Sequence, residues 1–213
     1  LLGVRTGAGR LFDVDVRLRP DGAKGLLVSS LSSFTDYQRN RAWTWEHQAL
    51  VRARAIAGDA SLAGAFDALR AQVLAQPREG GKLIEDVSAM RRKMRVELDR
   101  SDAAMLDLKQ GEGALVDLEF LLQFLVLRDA GASPGLLAPR ATSALLDAAL
   151  QAGSLDAPTH AALREAHAAL LDTGLRCTLD RRPRRAVRDE RIERACAAIR
   201  ATTRTQGLSF DAA

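Results

Sequence analysis

Cysteine is scarce in this 213-residue chain: only Cys177 and Cys196 occur, with no CxxC spacing and no histidine beside either. That excludes a disulfide framework and a structural zinc site, and it fits a reducing compartment. Aromatic residues make up only 4% of a chain that is 47% hydrophobic, so the core must be built from Leu, Ala and Val. Such a composition favours packed helices over an all-β sandwich. Long apolar runs are missing too. The longest, Phe120 to Leu127, contains Gln123 and is preceded by Asp117 and Glu119, too short and too polar to span a bilayer. No basic segment leads into an apolar run near Leu1, so no signal peptide is expected. A soluble, cytoplasmic protein with no membrane partner follows as the expectation. Charge of one sign is also lacking: 31 basic and 27 acidic residues give a net +4, too small a surplus to imply a nucleic-acid partner.

What is present falls into two parts. In the first, Phe12, Val14, Val16 and Leu18 alternate with Asp13, Asp15, Arg17 and Arg19, the period-two pattern of a half-buried strand. Pro20-Asp21-Gly22 signals a turn, and Leu26-Leu27-Val28 reads as a second short strand. Two strands do not make a stable sheet alone. Together with a first residue, Leu1, that is not Met, this leads to the expectation of a truncated chain. Beyond Ser33 everything reads as helix, over 33–42, 43–57 with Gly58 as its stop, a segment capped by Ser61, 82–98, 114–130, 141–152, 158–179 and 186–204. Pro77 and Gly80-Gly81 form the clearest linker. The expected fold is therefore mostly α: a two-stranded sheet remnant in a unit at 1–76, then a helical bundle at 82–213. The bundle core should include Leu83, Val87, Met90, Met94, Leu118, Leu122 and Leu125.

Alternation puts Asp13, Asp15, Arg17 and Arg19 on one strand face. Such a row reads either as a solvated salt-bridge ladder or as a surface where carboxylates hold Mg2+ and arginines hold phosphate. Arg181-Arg182-Pro183-Arg184-Arg185 is a basic loop open to an acidic partner surface or RNA, or merely solvated. His160 and His167 have no carboxylates at ligand spacing and receive no metal. His47 reads as a packing or hydrogen-bonded residue.

Three blocks carry a resemblance. They are Phe-Asp-Val-Asp-Val-Arg-Leu-Arg-Pro-Asp-Gly-Ala-Lys-Gly (12–25), Trp-Thr-Trp-Glu-His-Gln-Ala-Leu-Val-Arg-Ala-Arg (43–54) and Leu-Asp-Leu-Lys-Gln-Gly-Glu-Gly-Ala-Leu-Val-Asp-Leu-Glu-Phe (106–120). In this order and at this spacing the sequence resembles the glutamine synthetase adenylyltransferases, and the second block resembles their C-terminal, adenylyl-attaching half. The resemblance implies a nucleotidyltransferase that moves AMP from ATP to a tyrosine of glutamine synthetase. Mg2+ would be the cofactor, and glutamine synthetase and the PII signal protein the partners. It makes Asp15 the third catalytic, metal-binding carboxylate and puts Arg17, Arg19 and Lys24 on phosphate; Asp13 receives no metal. The other two carboxylates belong to a Gly-Ser…Asp-x-Asp motif that this sequence does not contain, so the chain is expected to be inactive alone. The alternative is a non-catalytic helical module that docks on glutamine synthetase or PII. The third block is read as structural.

Overall fold

A computed structural model describes Gly7, Gly9, residues 14–16 and residues 18–210. Among them are the α-helices α1 (Leu31–Asn40), α2 (Thr44–Arg52), α3 (Ala60–Leu74), α4 (Gly80–Leu98), α5 (Leu115–Asp129), α6 (Thr142–Gln151), α7 (Ala157–Leu179) and α8 (Glu190–Thr205). One two-stranded antiparallel sheet joins β1 (Met105–Asp107) to β2 (Arg185–Val187), with Leu106 opposite Ala186. The chain is thus mostly helical with a small sheet, as expected, but the strands are elsewhere. Val14–Val16, Leu18, Arg19 and Leu26–Val28 lie in no strand, and Phe12, Asp13 and Arg17 fall outside the described residues. The physical reason is plain at Val14, Val16 and Leu18, which are 50%, 44% and 71% exposed. An alternating segment becomes a strand only where a neighbour pairs its backbone and a core covers its apolar side.

Helix boundaries follow capping chemistry. Asp59, not Ser61, caps α3 by accepting from the Ser61 and Leu62 amides, and α2 ends at Arg52, well short of Gly58. Glu79 likewise accepts from the amides of Gly81 and Lys82, so the two glycines expected as linker are the first residues of α4. Asp156 and Asp189 cap α7 and α8 in the same way.

Helix α5 is the hub. Val116, Leu118, Phe120, Leu121, Leu122, Phe124 and Leu125 are all buried, because α2, α4, α6, α7 and α8 each pack on it. A helix apolar all round belongs in the middle of a bundle. Of the expected core, Leu83, Val87, Leu118, Leu122 and Leu125 are buried, while Met90 and Met94 are half-buried at its edge. The units expected at 1–76 and 82–213 meet at the loop 76–79, yet their apolar residues form one cluster: Leu50, Val51, Val73 and Leu74 share it with α5. Arg78 ties the two sides further, donating to the carbonyls of Val73, Leu74 and Gln76 and, across the boundary, of Leu127.

Charge is buried at the entry to α5. Asp117, 2% exposed, accepts from Arg91 Nε at 2.6 Å, from Arg95 Nη2 at 2.5 Å and from the Gly113 amide at 2.7 Å. Arg91 also donates to the Gln110 carbonyl at 2.7 Å. Gly113 has φ +73°, and a Cβ there would stand 2.5 Å from the Cys196 carbonyl oxygen, so this turn requires glycine.

Two outcomes are expected. Asp117→Ala leaves the buried Arg91 and the mostly buried Arg95 without their anion and should cost about 3–5 kcal/mol in urea unfolding; a loss under about 1 kcal/mol would mean water replaces the carboxylate freely. Cleavage after Glu79 by a glutamate-specific protease should leave two pieces that co-elute under native conditions, held by the shared core. Pieces that separate, with 80–213 still melting cooperatively, would instead make the two units independent.

Candidate functional site

The turn Arg19–Gly25 closes on itself. Gly22 N donates to Arg19 O at 2.8 Å, and Gly25 N to Gly22 O at 3.1 Å. Asp21 and Gly22 both have positive φ, 59° and 56°. A Cβ on Gly25 would meet the Pro20 carbonyl oxygen at 1.9 Å, so only glycine permits the closure. Arg19 locks it from inside, donating through Nε to the Gly25 carbonyl at 3.1 Å and through Nη1 to the Val16 carbonyl at 2.5 Å. Asp21 faces Arg41 of the α1–α2 connection at 3.9 Å.

Behind the turn, α1 and α2 are joined by buried polar contacts. Tyr37 donates its hydroxyl to Glu46 at 2.8 and 3.1 Å, and Glu46 also accepts the Trp43 amide at 2.8 Å. Burial, then the nearby Glu46 carboxylate, raises the Tyr37 pKa, against an opposing hydrogen bond from the Asp21 backbone. His47 Nε2 meets the Gln38 carbonyl at 3.0 Å, and His47 Nδ1 faces Arg78 at 3.4 Å. Burial and the Arg78 charge lower the His47 pKa, opposed by the Gln38 carbonyl and Glu46. Gln48 donates to Gln123 of α5 at 3.0 Å, and Arg52 forms an ion pair with Glu119 of α5. The second block is therefore a set of connectors: its inward residues reach α1 and α5, while Trp43 is 70% exposed.

Between turn and helices lies a cavity of about 320 Å³, lined by Leu18, Arg19 and Pro20 from the turn, Phe34 and Gln38 from α1, and Glu46, Ala49, Leu50, Arg52 and Ala53 from α2 and its end. Gln38 is 5% exposed and its Oε1 has no hydrogen-bond partner.

The expected site residues divide. Asp15 is exposed, as is Lys24. Arg19 stands at the cavity but has turned onto the backbone of its own turn. Arg17 is outside the described residues. No group of three His, Cys, Asp or Glu among the described residues is placed to hold a metal ion. A single exposed carboxylate, Asp15, fits one position around a hard cation such as Mg2+ and no more. The third block is structural: Asp107 accepts the amides of Lys109 and Gln110 at 2.9 Å each, Asp117 anchors the turn, and Glu119 alone reaches toward the cavity by way of Arg52. Burial pushes the Cys196 thiol up to about 12, which makes it inert as a nucleophile.

Other candidates resolve into internal contacts. His160 pairs with Asp147 at 2.8 Å across α6 and α7, a carboxylate thirteen positions away that sequence spacing did not reveal. In the arginine loop Arg182 pairs with Asp180, Arg185 with Asp102, and Arg184 donates to Thr178. Sequence reasoning missed Gln38 and the Tyr37–Glu46 contact. The latter had a signal, since Glu46 stands three residues after Trp43, where a carboxylate closes back on a helix start.

Residues 1–69 match the family model described as glutamate-ammonia ligase adenylyltransferase. A bifunctional glutamine synthetase adenylyltransferase/adenylyl-removing enzyme of Stenotrophomonas maltophilia (strain K279a) is 62% identical over 210 residues, 99% of this chain and 23% of that protein. The protein of the same name from Xanthomonas campestris pv. campestris (strain B100) is 60% identical over 99% of this chain and 22% of its own length. That of Nitrosococcus oceani is 47% identical over 79% of the chain and 17% of its own length. These relatives are adenylyltransferases by name. The chain belongs to the glutamate-ammonia ligase adenylyltransferase family, and it spans less than a quarter of the length of the curated relatives it matches. No helix among its described residues is long and apolar enough to cross a membrane.

The histidines give a pH expectation. The folded pKa of His47 lies below the unfolded value, about 6.5. The unfolded chain then binds more protons, so stability present above that value is lost as pH falls through it. Burial lowers His167 likewise. Urea midpoints measured from pH 8 to pH 5 should fall, and His47→Gln, which keeps a donor for the Gln38 carbonyl, should flatten part of that fall. An unchanged slope in the variant would show that His47 does not contribute.

Proposed function

We propose that this chain is part of an adenylyltransferase that moves AMP from ATP to a tyrosine of glutamine synthetase, within the adenylyl-attaching half of the longer enzyme. One observation carries the reading: identity of 60–62% over 99% of the chain to relatives named for that activity. The first block supports it, because the turn Arg19–Gly25 is closed by glycine geometry and leaves Asp15 and Lys24 exposed beside it.

In this reading Asp15 supplies one carboxylate, and further acidic groups of the longer polypeptide complete the site. Magnesium, when bound, would neutralise phosphate charge and favour the attacking oxygen. Arg17 and Lys24 contact phosphate oxygens. Arg19 acts one step back, holding the turn closed so that its neighbours keep their places. Positioning and charge then supply most of the rate. The setting is cytoplasmic, and glutamine synthetase and the PII signal protein are the partners. A second reading, a helical docking module for glutamine synthetase or PII, is favoured by the lack, among the described residues, of any group of three ligands placed to hold a metal ion, and by the exposed Trp43, a residue type common at interface anchors.

In the full-length enzyme, Asp15→Asn keeps the shape and removes the charge. Transfer of radiolabelled AMP to glutamine synthetase should fall by about two to three orders of magnitude, with helical circular dichroism unchanged. Near-normal transfer would leave Asp15 as a surface residue and favour the docking reading. The 213-residue chain alone, given ATP, Mg2+ and glutamine synthetase, should transfer nothing; stoichiometric labelling would overturn the view that acidic groups outside it are needed.

A further inference from the structure

We infer that the exposed leucine stripe on the outer face of α7, with the arginine turn that follows it, seats an acidic amphipathic helix supplied by another part of the longer polypeptide. None of these residues is among those assigned above to AMP transfer, so the two readings stand or fall apart.

Leu171, Leu175 and Leu179 are 41%, 50% and 82% exposed, and with the exposed Ala168 they recur every three or four residues. That spacing puts them on one side of the helix. The opposite side, with Leu163, Ala166, Leu170 and Cys177, is buried against the bundle. A surface helix ordinarily carries one apolar stripe. Helix α7 carries two, and the second has no cover among the described residues.

Charge stands at the end of the stripe. Past Leu179 the Arg182 amide donates to the Cys177 carbonyl at 2.9 Å and the Arg181 amide to the Thr178 carbonyl at 3.1 Å. This pair of bonds ordinarily places glycine at the first residue beyond the cap. Here that residue is Arg181, held at φ +55°. A left-handed arginine costs backbone energy that glycine would not, and in return a cation sits at the foot of the leucines. Arg184 Nε donates to Thr178 Oγ1 at 3.1 Å, one position before Leu179, so a second guanidinium stands there. Arg182 and Arg185 pair with Asp180 and Asp102, whereas Arg181 and Arg184, both exposed, have no carboxylate among the described residues. Two such cations beside a leucine stripe complement a helix whose own apolar face ends in Asp or Glu.

Size and charge select the occupant. A second copy of the chain matches poorly. Two stripes paired in parallel would set Arg181 and Arg184 against themselves, and paired antiparallel would set them toward Arg164 of the other copy. Three leucines offer on the order of a few hundred Å², well under the roughly 1,000 Å² that a stable interface between separate proteins needs. A tethered segment needs less, because its effective concentration reaches about millimolar. The chain spans 23% and 22% of two relatives, so most of such a polypeptide lies outside it and has room to supply that segment.

The test compares the full-length enzyme with the 213-residue chain. Hydroxyl-radical footprinting should oxidise Leu171, Leu175 and Leu179 about threefold or more slowly in the full-length enzyme, in line with the apolar area covered. A benzophenone photocrosslinker placed at Leu175 should join, within one polypeptide, to a segment outside these 213 residues that carries Asp or Glu beside its apolar face. Arg181→Gly and Arg184→Gln together should return the leucines to the reactivity they show in the chain alone. Arg184→Gln keeps a donor for Thr178. Arg181→Gly also relieves the left-handed arginine, so the melting temperature of the chain should rise by about 2 °C, which separates loss of docking from loss of folding. Equal reactivity of the leucines in the two proteins would overturn the assignment. So would crosslinks to a second copy, crosslinks to a segment without acidic residues, or protection unchanged in the double variant. Protection that appears only when phosphatidylglycerol vesicles or RNA are added would give the face to a membrane or a nucleic acid and would overturn it equally.

Discussion

Asp117 holds the bundle together at its centre. Its two oxygens accept from two guanidiniums of α4, the fully buried Arg91 and the mostly buried Arg95, and from one amide of the turn that starts α5. A lone buried carboxylate would be expelled or protonated, and two buried arginines without an anion would be worse. Together they tie α4 to α5, the helix on which α2, α6, α7 and α8 also pack. Arg95 carries the constraint on to the Phe210 carbonyl, and Phe210 packs edge-on against Phe120, so the tail after α8 is bound to the same centre.

Arginine plays a second part at helix ends, where backbone carbonyls take its hydrogen bonds. Arg70, 2% exposed, donates to the carbonyls of Leu50, Val51 and Leu137, closing the carboxyl end of α2. Arg140 does the same for Ala53, and Arg78 for the end of α3. Exposed helix-end carbonyls carry partial negative charge, and a cation there is favourable. Burial lowers the Arg70 pKa to about 10, which still leaves it charged near neutrality. Much of the chain's basic surplus is thus consumed inside the fold. That is why a net charge of +4 says little here about nucleic acid.

This division explains which features were legible in the sequence. Helices α4 to α8 declared themselves through apolar spacing, because their partners lie within the same chain. The Asp117–Arg91–Arg95 cluster did not, since nothing in local spacing shows that residues 26 and 22 positions away will share one anion. Strands β1 and β2 are three residues each and pair across some eighty positions, too short for any periodic signal. The alternating segment around Val14 and Val16 failed in the opposite way: its pattern is strong, but the surface it would cover is not among the described residues. For the site, the residue types were readable and their directions were not. Arg19 is expected on phosphate, and in the fold it also donates to the Gly25 and Val16 carbonyls, a direction its spacing did not reveal, while Gln38 carried no motif at all.

The second and third blocks gain meaning from being read together. Glu46, Gln48 and Arg52 point from α2 toward α1 and α5, and on α5 Gln123 and Glu119 receive two of them. A helix that gives its polar residues inward bonds on two sides cannot shift against α5 without breaking them. The amino-terminal turn meets the end of α1, where Asp21 faces Arg41, and α1 is joined in turn to α2 through Tyr37 and Glu46. A loop of glycine, proline and charged residues has little apolar burial of its own to hold it. Its order must be supplied by its own closure and by what it leans on: Arg19 and Gly25 close the turn, and Asp21 carries it to Arg41 at the end of α1, whose Tyr37 is bound to α2 and so to the bundle.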